Sequence, residues 1–180
     1  MAARKKAKPQ LTLRLEAKLK QLGLEYQPWP FKKFNERLLP WAVIGREGGL
    51  SIIKTSGFAP RIKGKVPKEF VGCYPATIDK PALIRAVRQN AATLLGVIEA
   101  ACKGDWGRFG GMRNVQIWLR TAPDVTDQDD IANRGTEVFL KVLGGKGRHT
   151  RATASVLPPK GNAVEMQVIF AARLRRQLQR

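Results

Sequence analysis

The sequence predicts one mixed α+β domain, a sheet backed on one face by two helices. Three observations carry this. Residues 79–101 and 126–143 place apolar side chains at helical spacing. Residues 114–121 alternate apolar with polar, as a half-buried strand does. Two further pairs of short apolar runs flank glycine-containing turns, as hairpins do.

The elements follow in order. Leu15, Leu19 and Leu22 share one side of a short helix over 11–22, with Gly23 as its stop. Residues 25–40 read as irregular, with Pro28, Pro30 and Pro40 among Trp29, Phe31 and Phe34. Strands at 41–45 and 50–55 surround Gly48-Gly49. Prolines and glycines make 57–78 a loop. Asp79 is a helix N-cap and Pro81 sits in the tolerated first turn, opening a helix to about Ala101 with Leu83, Val87, Leu94 and Ile98 along one side. In the strand at 114–121, Val115, Ile117 and Leu119 face one way and Gln116, Trp118 and Arg120 the other. Thr126 or Asp127 caps the next helix, which ends at Gly144-Gly145. Strands at 150–156 and 163–171, joined by LPPKG, read as a closing hairpin. Residues 1–10 are a basic extension, 11–172 the domain, and 173–180 a basic tail with a short helix. The uncovered sheet face calls for a use, and self-assembly is the expected one.

No apolar run reaches the roughly 18 residues that cross a bilayer, so no membrane association is expected. The basic start lacks the apolar core of a secretory signal. The acid-free stretch up to Leu15 resembles an organelle-targeting segment, so a mitochondrial location is expected, with the cytoplasm as alternative. Cys73 and Cys102 fit neither a disulfide framework nor a zinc site and suggest a reducing compartment.

Charge is the strongest compositional signal. Lys and Arg number 33 against 14 acids, a net charge of +19. Solubility needs a net charge of only roughly 2–8. The excess points to a polyanion, most plausibly RNA, neutralising phosphates and releasing their counterions. The candidate contacts are Arg4, Lys5, Lys6 and Lys8 in the extension, Lys146 and Arg148 in the glycine-rich loop, and Arg173, Arg175 and Arg176 in the tail.

Catalytic signatures are few. A single His149 and the lack of a nucleophile elbow argue against Ser-His-Asp or Cys-His hydrolysis. Neither a metal nor another cofactor is called for; the cluster Asp124, Asp127, Asp129 and Asp130 lacks calcium-loop spacing and reads as acidic charge at a helix N-terminus. In the closing hairpin Arg151, Thr153 and Ser155 share a face, and antiparallel pairing would bring Arg151 near Glu165 on the partner strand. Arginine suits bidentate binding of a carboxylate or phosphate.

These segments resemble the RidA (YjgF) family, also labelled L-PSP endoribonuclease-like, and its longer subgroup with an N-terminal helix. The signals are LEAKLKQLGL at 15–24, Thr55-Ser56-Gly57, NAATLL at 90–95, APDVTD at 122–127, GRHTRATASV at 147–156 and NAVEMQVIF at 162–170. The resemblance implies a chorismate-mutase-like fold, a mixed sheet with two helices on one face, and a homotrimer with clefts between subunits. It implies metal-free hydrolysis of enamine and imine intermediates to 2-oxo acids, of the 2-iminobutanoate and 2-iminopropanoate type. Arg151 falls on the position that grips the substrate carboxylate and Glu165 on the one that positions water. Ser56, Gly57 and Thr153 fall on cleft positions. The sequence departs at Phe58, where the family carries glutamine, and at Arg37-Leu38-Leu39, where a cleft tyrosine is expected. The charge and these departures point to a RidA-type scaffold serving as an RNA-contacting structural subunit, next to rRNA and neighbouring proteins of a ribonucleoprotein such as a mitochondrial ribosome. A retained deaminase is the alternative. Ribonuclease activity rests only on the family label, since His149 has no acid/base partner suited to RNA cleavage.

Overall fold

A computed structural model describes residues 10–28 and 42–173. The expectations for the basic extension up to residue 9, for 29–41 and for 174–180 lie outside the described residues.

Helix α1 (Gln10–Gln21) begins one residue inside the segment read as extension. Leu15 and Leu19 are buried. Gly23 ends the helix at φ +69, a left-handed turn open to glycine at no steric cost. Strands β1 (Ala42–Glu47) and β2 (Leu50–Thr55) form the expected hairpin. Gly48 and Gly49 supply two consecutive positive φ angles, which the tight turn requires. The loop that follows contains only a 3-10 turn at Lys68–Phe70.

Helix α2 (Lys80–Ala101) is capped as expected: the Asp79 carboxylate accepts from the Ala82 N–H at 2.7 Å. Leu83, Val87, Leu94 and Ile98 are all fully buried. So is most of the rest of the helix, including Gln89, Asn90, Thr93 and Glu99. It is a core helix enclosed on nearly every side rather than one with a single apolar stripe.

Strand β3 (Phe109–Leu119) starts five residues before the alternation that betrays it, because its first part runs through Gly110-Gly111 and two irregularities of register. Val115, Ile117 and Leu119 are buried, and Gln116, Trp118 and Arg120 face the other way. Helix α3 (Gln128–Leu143) stops at Gly144, as read. Asp127 stands at its N-cap position without a capping bond and instead pairs with Lys80 at 2.6 Å. Strands β4 (Thr150–Ser155) and β5 (Val164–Ala172) complete the regular structure of the described residues.

The five strands are ordered β1-β2-β5-β3-β4. The closing hairpin is therefore a correction. Strand β4 pairs parallel with β3, and β5 enters between β2 and β3, antiparallel to both. Strand β3 is connected to β4 through α3, a strand-helix-strand crossover, and such a crossover returns parallel to its first strand. Helices α2 and α3 cover the face carrying Ile53, Val115, Ile117, Val164, Met166 and Phe170. Each such side chain contributes about 1.5–3 kcal/mol on full burial.

Two local features make this packing testable. Gly96 on α2 lies so close to the backbone of Gln27 that a Cβ would stand 2.0 Å from its carbonyl oxygen. Gly→Ala inside a helix ordinarily stabilises by about 0.8–1 kcal/mol. Here Gly96→Ala reverses sign and destabilises by about 1–3 kcal/mol, the usual cost of overpacking, read as a lower urea midpoint.

His149 sits edge-on to Phe139, 5.7 Å between ring centres. Its Nδ1 lies 2.7 Å from the Gly147 carbonyl and so carries the proton; its Nε2 faces the Thr136 hydroxyl at 3.3 Å. Burial lowers its pKa, the Gly147 carbonyl opposes this, and nearby Arg151 adds to the lowering. The unfolded chain therefore binds this proton more readily. The contribution of neutral His149 is present above its unfolded value of about 6.5 and is lost as pH falls through the lowered folded value. Urea midpoints drop from about pH 7.5 to about pH 5.5, and less so in His149→Gln.

Candidate functional site

The expected site residues separate into two groups on opposite faces of the sheet. The first lies on the face away from the helices. Phe58 exchanges both backbone hydrogen bonds with Met166, at 2.8 and 2.9 Å, which fastens the end of β2 beside β5. Gly57 is thereby held next to Glu165, with Ser56 one residue before it. A Cβ on Gly57 would stand 3.1 Å from Glu165 Oε2 and 3.3 Å from the Trp118 ring, so a larger residue here would have to displace one of these side chains by a few tenths of an ångström. Glu165 lies level with Trp118 across the strand pair, and its Oε1 accepts from Asn162 Nδ2 at 3.1 Å.

Phe58 itself is a core residue, 4% exposed, and Asn90 Nδ2 donates to its carbonyl at 2.8 Å. The departure from the family's glutamine therefore falls inside the fold and leaves the Ser56-Gly57-Glu165 arrangement standing. The segment 37–39, where a tyrosine is expected, lies outside the described residues.

The second group lies on the helix side of β4. Arg151 Nη1 donates to Asn133 Oδ1 at 2.7 Å and to Thr136 Oγ1 at 3.3 Å. Its Nη2 stands 3.4 Å from Asp129 Oδ1. Asp129 is largely exposed, so this ion pair orients the guanidinium more than it stabilises the fold. Thr153, two residues on, points the same way; its Oγ1 is buried and has no hydrogen-bond partner among the described residues. It borders a depression of about 270 Å³ together with Thr126, Gln128, Asp129 and Ser155.

Arg151 and Glu165 are thus not neighbours within one chain, contrary to the hairpin expectation. Strand β3 separates them: Arg151 is level with Val115, on the helix side, and Glu165 is level with Trp118, on the open side. The sequence shows Asp129 only as one of an acidic cluster and assigns no contact to Asn133, Thr136 or Asn162; Asn162 lies three residues before Glu165, whereas Asp129, Asn133 and Thr136 lie on α3 and reach Arg151 only through the packing of that helix on β4.

Among the expected RNA contacts, Arg4, Lys5, Lys6, Lys8, Arg175 and Arg176 lie outside the described residues. Lys146, Arg148 and Arg173 are exposed. Lys146 and Arg173 converge on the start of β3: Lys146 Nζ donates to Phe109 O, and the Arg173 N–H to Arg108 O, each at 2.8 Å. Arg14, Lys18 and Trp106 lie at this same end, and Lys63, Lys65 and Lys68 in the loop after β2, all outside the expected contacts. A count of acid-free runs would have found the last three.

Among the described residues there is no group of three His, Cys, Asp or Glu side chains placed to hold a metal. Two of the aspartates at the start of α3, Asp127 and Asp129, pair with Lys80 and Arg151. Burial pushes the Cys102 thiol up to about 12, which leaves it protonated and a poor nucleophile. No helix among the described residues is long and apolar enough to cross a membrane.

No family model matches the chain. Protein TCP17 of Trypanosoma cruzi is 28% identical over 121 residues, which span 63% of this chain and 75% of that protein. Among solved structures, the Agrobacterium tumefaciens protein Atu1372, of unknown function, superposes with a TM-score of 0.74 at 22% identity, over 91% of this chain and 95% of its own. A Shewanella oneidensis protein, provisionally described as an endoribonuclease, superposes with a TM-score of 0.71 at 18% identity, over 87% and 97%. Escherichia coli TdcF, solved with bound serine, is more distant, at 0.50 and 18% over 77% and 90%. The five-strand mixed sheet with its helices on one face is the chorismate-mutase-like fold of RidA/YjgF proteins, and this chain has it.

Proposed function

We propose that the chain is a RidA-fold structural subunit that contacts RNA within a large ribonucleoprotein such as a mitochondrial ribosome. The observation that carries this is how the +19 charge is left on the folded surface. Among the described residues the ion pairs engage Lys80, Arg108, Arg134 and Arg151. Exposed Lys54, Lys63, Lys65, Lys68, Lys103, Arg113, Lys146 and Arg148 have no carboxylate within 4 Å among those residues. The excess is therefore carried by the body of the domain as well as by its terminal segments. Self-repulsion of this kind is relieved by a phosphate backbone, with release of its counterions.

A second reading has its own support. Ser56, Gly57 and Glu165 are gathered on one face, and Arg151 is held ready by Asn133 and Thr136 on the other. A cleft between two copies, as in the homotrimer that the resemblance implies, would join Arg151 of one copy to Glu165 of the next. Such a cleft would suit a small amino-acid-derived imine, in keeping with the serine bound to TdcF. Steering of a small anion by the net charge would assist it.

Two measurements separate the readings. For the RNA subunit, affinity for structured RNA falls by about 10³ or more between about 50 and 200 mM salt, as expected for 6–10 phosphate contacts. Weak binding with a flat salt response defeats that reading. For the deaminase, release of a 2-oxo acid from an enamine-generating amino-acid system drops at least about tenfold in Arg151→Ala, the loss of one charge-assisted hydrogen bond. Equal rates for the native chain and the variant defeat that one.

A further inference from the structure

Where α1, the end of α3 and the start of β3 meet, the chain forms an open pocket of about 310 Å³ that shares no lining residue with either group described above. Its size lies at the lower end of ligand pockets, which begin at roughly 300 Å³. Its lining combines apolar Leu15, Phe109, Val142 and Leu143 with Trp106 and three cations, Arg14, Lys18 and Lys146.

Two details make this a built pocket rather than a gap. The indole of Trp106 is fixed from both sides. Its Nε1 donates to the buried Glu99 at 3.4 Å, and its ring stands edge-on to Phe109, 5.6 Å between centres and 83° between planes. The lysines are fixed too. Lys18 Nζ donates to Val142 O at 2.8 Å and Lys146 Nζ to Phe109 O at 2.8 Å. An ammonium has three donors, so each keeps two. No carboxylate lies within 4 Å of Arg14, Lys18 or Lys146 among the described residues. The C-terminus of α3 alone would repel an anion, and these cations reverse the local sign.

A held indole beside apolar side chains, with cations that have no carboxylate within 4 Å among the described residues, suits a ligand with one flat ring and a flanking phosphate. We infer that this pocket takes one nucleotide of single-stranded RNA, its base against Trp106 and its backbone phosphates on Lys18, Lys146 and Arg14. The inference rests on the RNA reading above and adds to it a specific seat. Exposed Arg173, hung from the Arg108 carbonyl beside the same strand start, extends the cationic path beyond the pocket.

The test uses the full chain, a single-stranded RNA hexamer, a structured RNA and the free mononucleotide. The hexamer quenches tryptophan fluorescence. Trp106→Leu abolishes that quench and weakens hexamer binding about tenfold, in the range of one lost stacking contact. Lys18→Gln, with its fold checked by the urea midpoint because Lys18 Nζ also holds the Val142 carbonyl, lowers the salt slope by about one. If both variants bind the hexamer as the native chain does, the pocket assignment is overturned, while salt-dependent binding of structured RNA leaves the broader reading intact. If the native chain binds neither RNA, both fall. If the mononucleotide binds as tightly as the hexamer, the pocket is a small-molecule site and the RNA assignment is overturned.

Discussion

Everything in this structure depends on a helix with almost no outside. Helix α2 is enclosed on nearly all sides, yet its buried surface carries Gln89, Asn90, Thr93 and Glu99. A buried polar group left unpaired costs about 1–3 kcal/mol, so each must find a partner on another segment. Gln89 binds the backbone of Glu25 in both directions and the Arg61 carbonyl. Thr93 accepts from the Arg61 N–H, and Asn90 donates to the Phe58 carbonyl. Glu99 receives the Tyr26 hydroxyl and the Trp106 indole. These bonds fasten the irregular segments at 24–28 and 58–61 to the helix. Through Phe58 they also set Ser56 and Gly57 beside Glu165.

The same organisation places the functional candidates at the margins. The core face of the sheet is filled, so chemistry is left to the open face, to the outer edge at β4, and to the end where α1 meets α3. Each margin carries a different kind of group. The open face has a carboxylate in a glycine-lined niche, the edge has an arginine held by an amide and a hydroxyl, and the end has lysines around an indole. Positive charge at these margins leaves the packed interior undisturbed.

Most of the fold was legible because its signals are local. The apolar periodicity of α2 and α3, the Asp79 cap, the Gly48-Gly49 turn and the Gly144 stop each report on a few neighbouring residues, and each holds in the structure. Strand adjacency is not local. Successive strands are neighbours roughly two-thirds of the time, so 150–156 and 163–171 read as a hairpin, and the insertion of β5 beside β2 could not be seen in either strand. That one misreading put Arg151 against Glu165. The start of β3 was missed for a different reason, because Gly110-Gly111 suppresses the alternation there. The candidate site was legible as a set of residue types through resemblance, and illegible as an arrangement.

The central position of β5 has a consequence for how the molecule is made. The strand at the middle of the sheet is the last of the five to leave the ribosome. Until it emerges, the β1-β2 hairpin and the β3-α3-β4 unit each present a bare edge, with backbone donors and acceptors that have nowhere native to go. At about 5–20 residues per second, the interval between β4 and a complete β5 is on the order of seconds. Bare edges during that interval are the usual targets of intermolecular strand pairing. A chain interrupted before residue 164 would not be a trimmed version of this protein but two half-sheets without a joint, a natural client for chaperones and proteases.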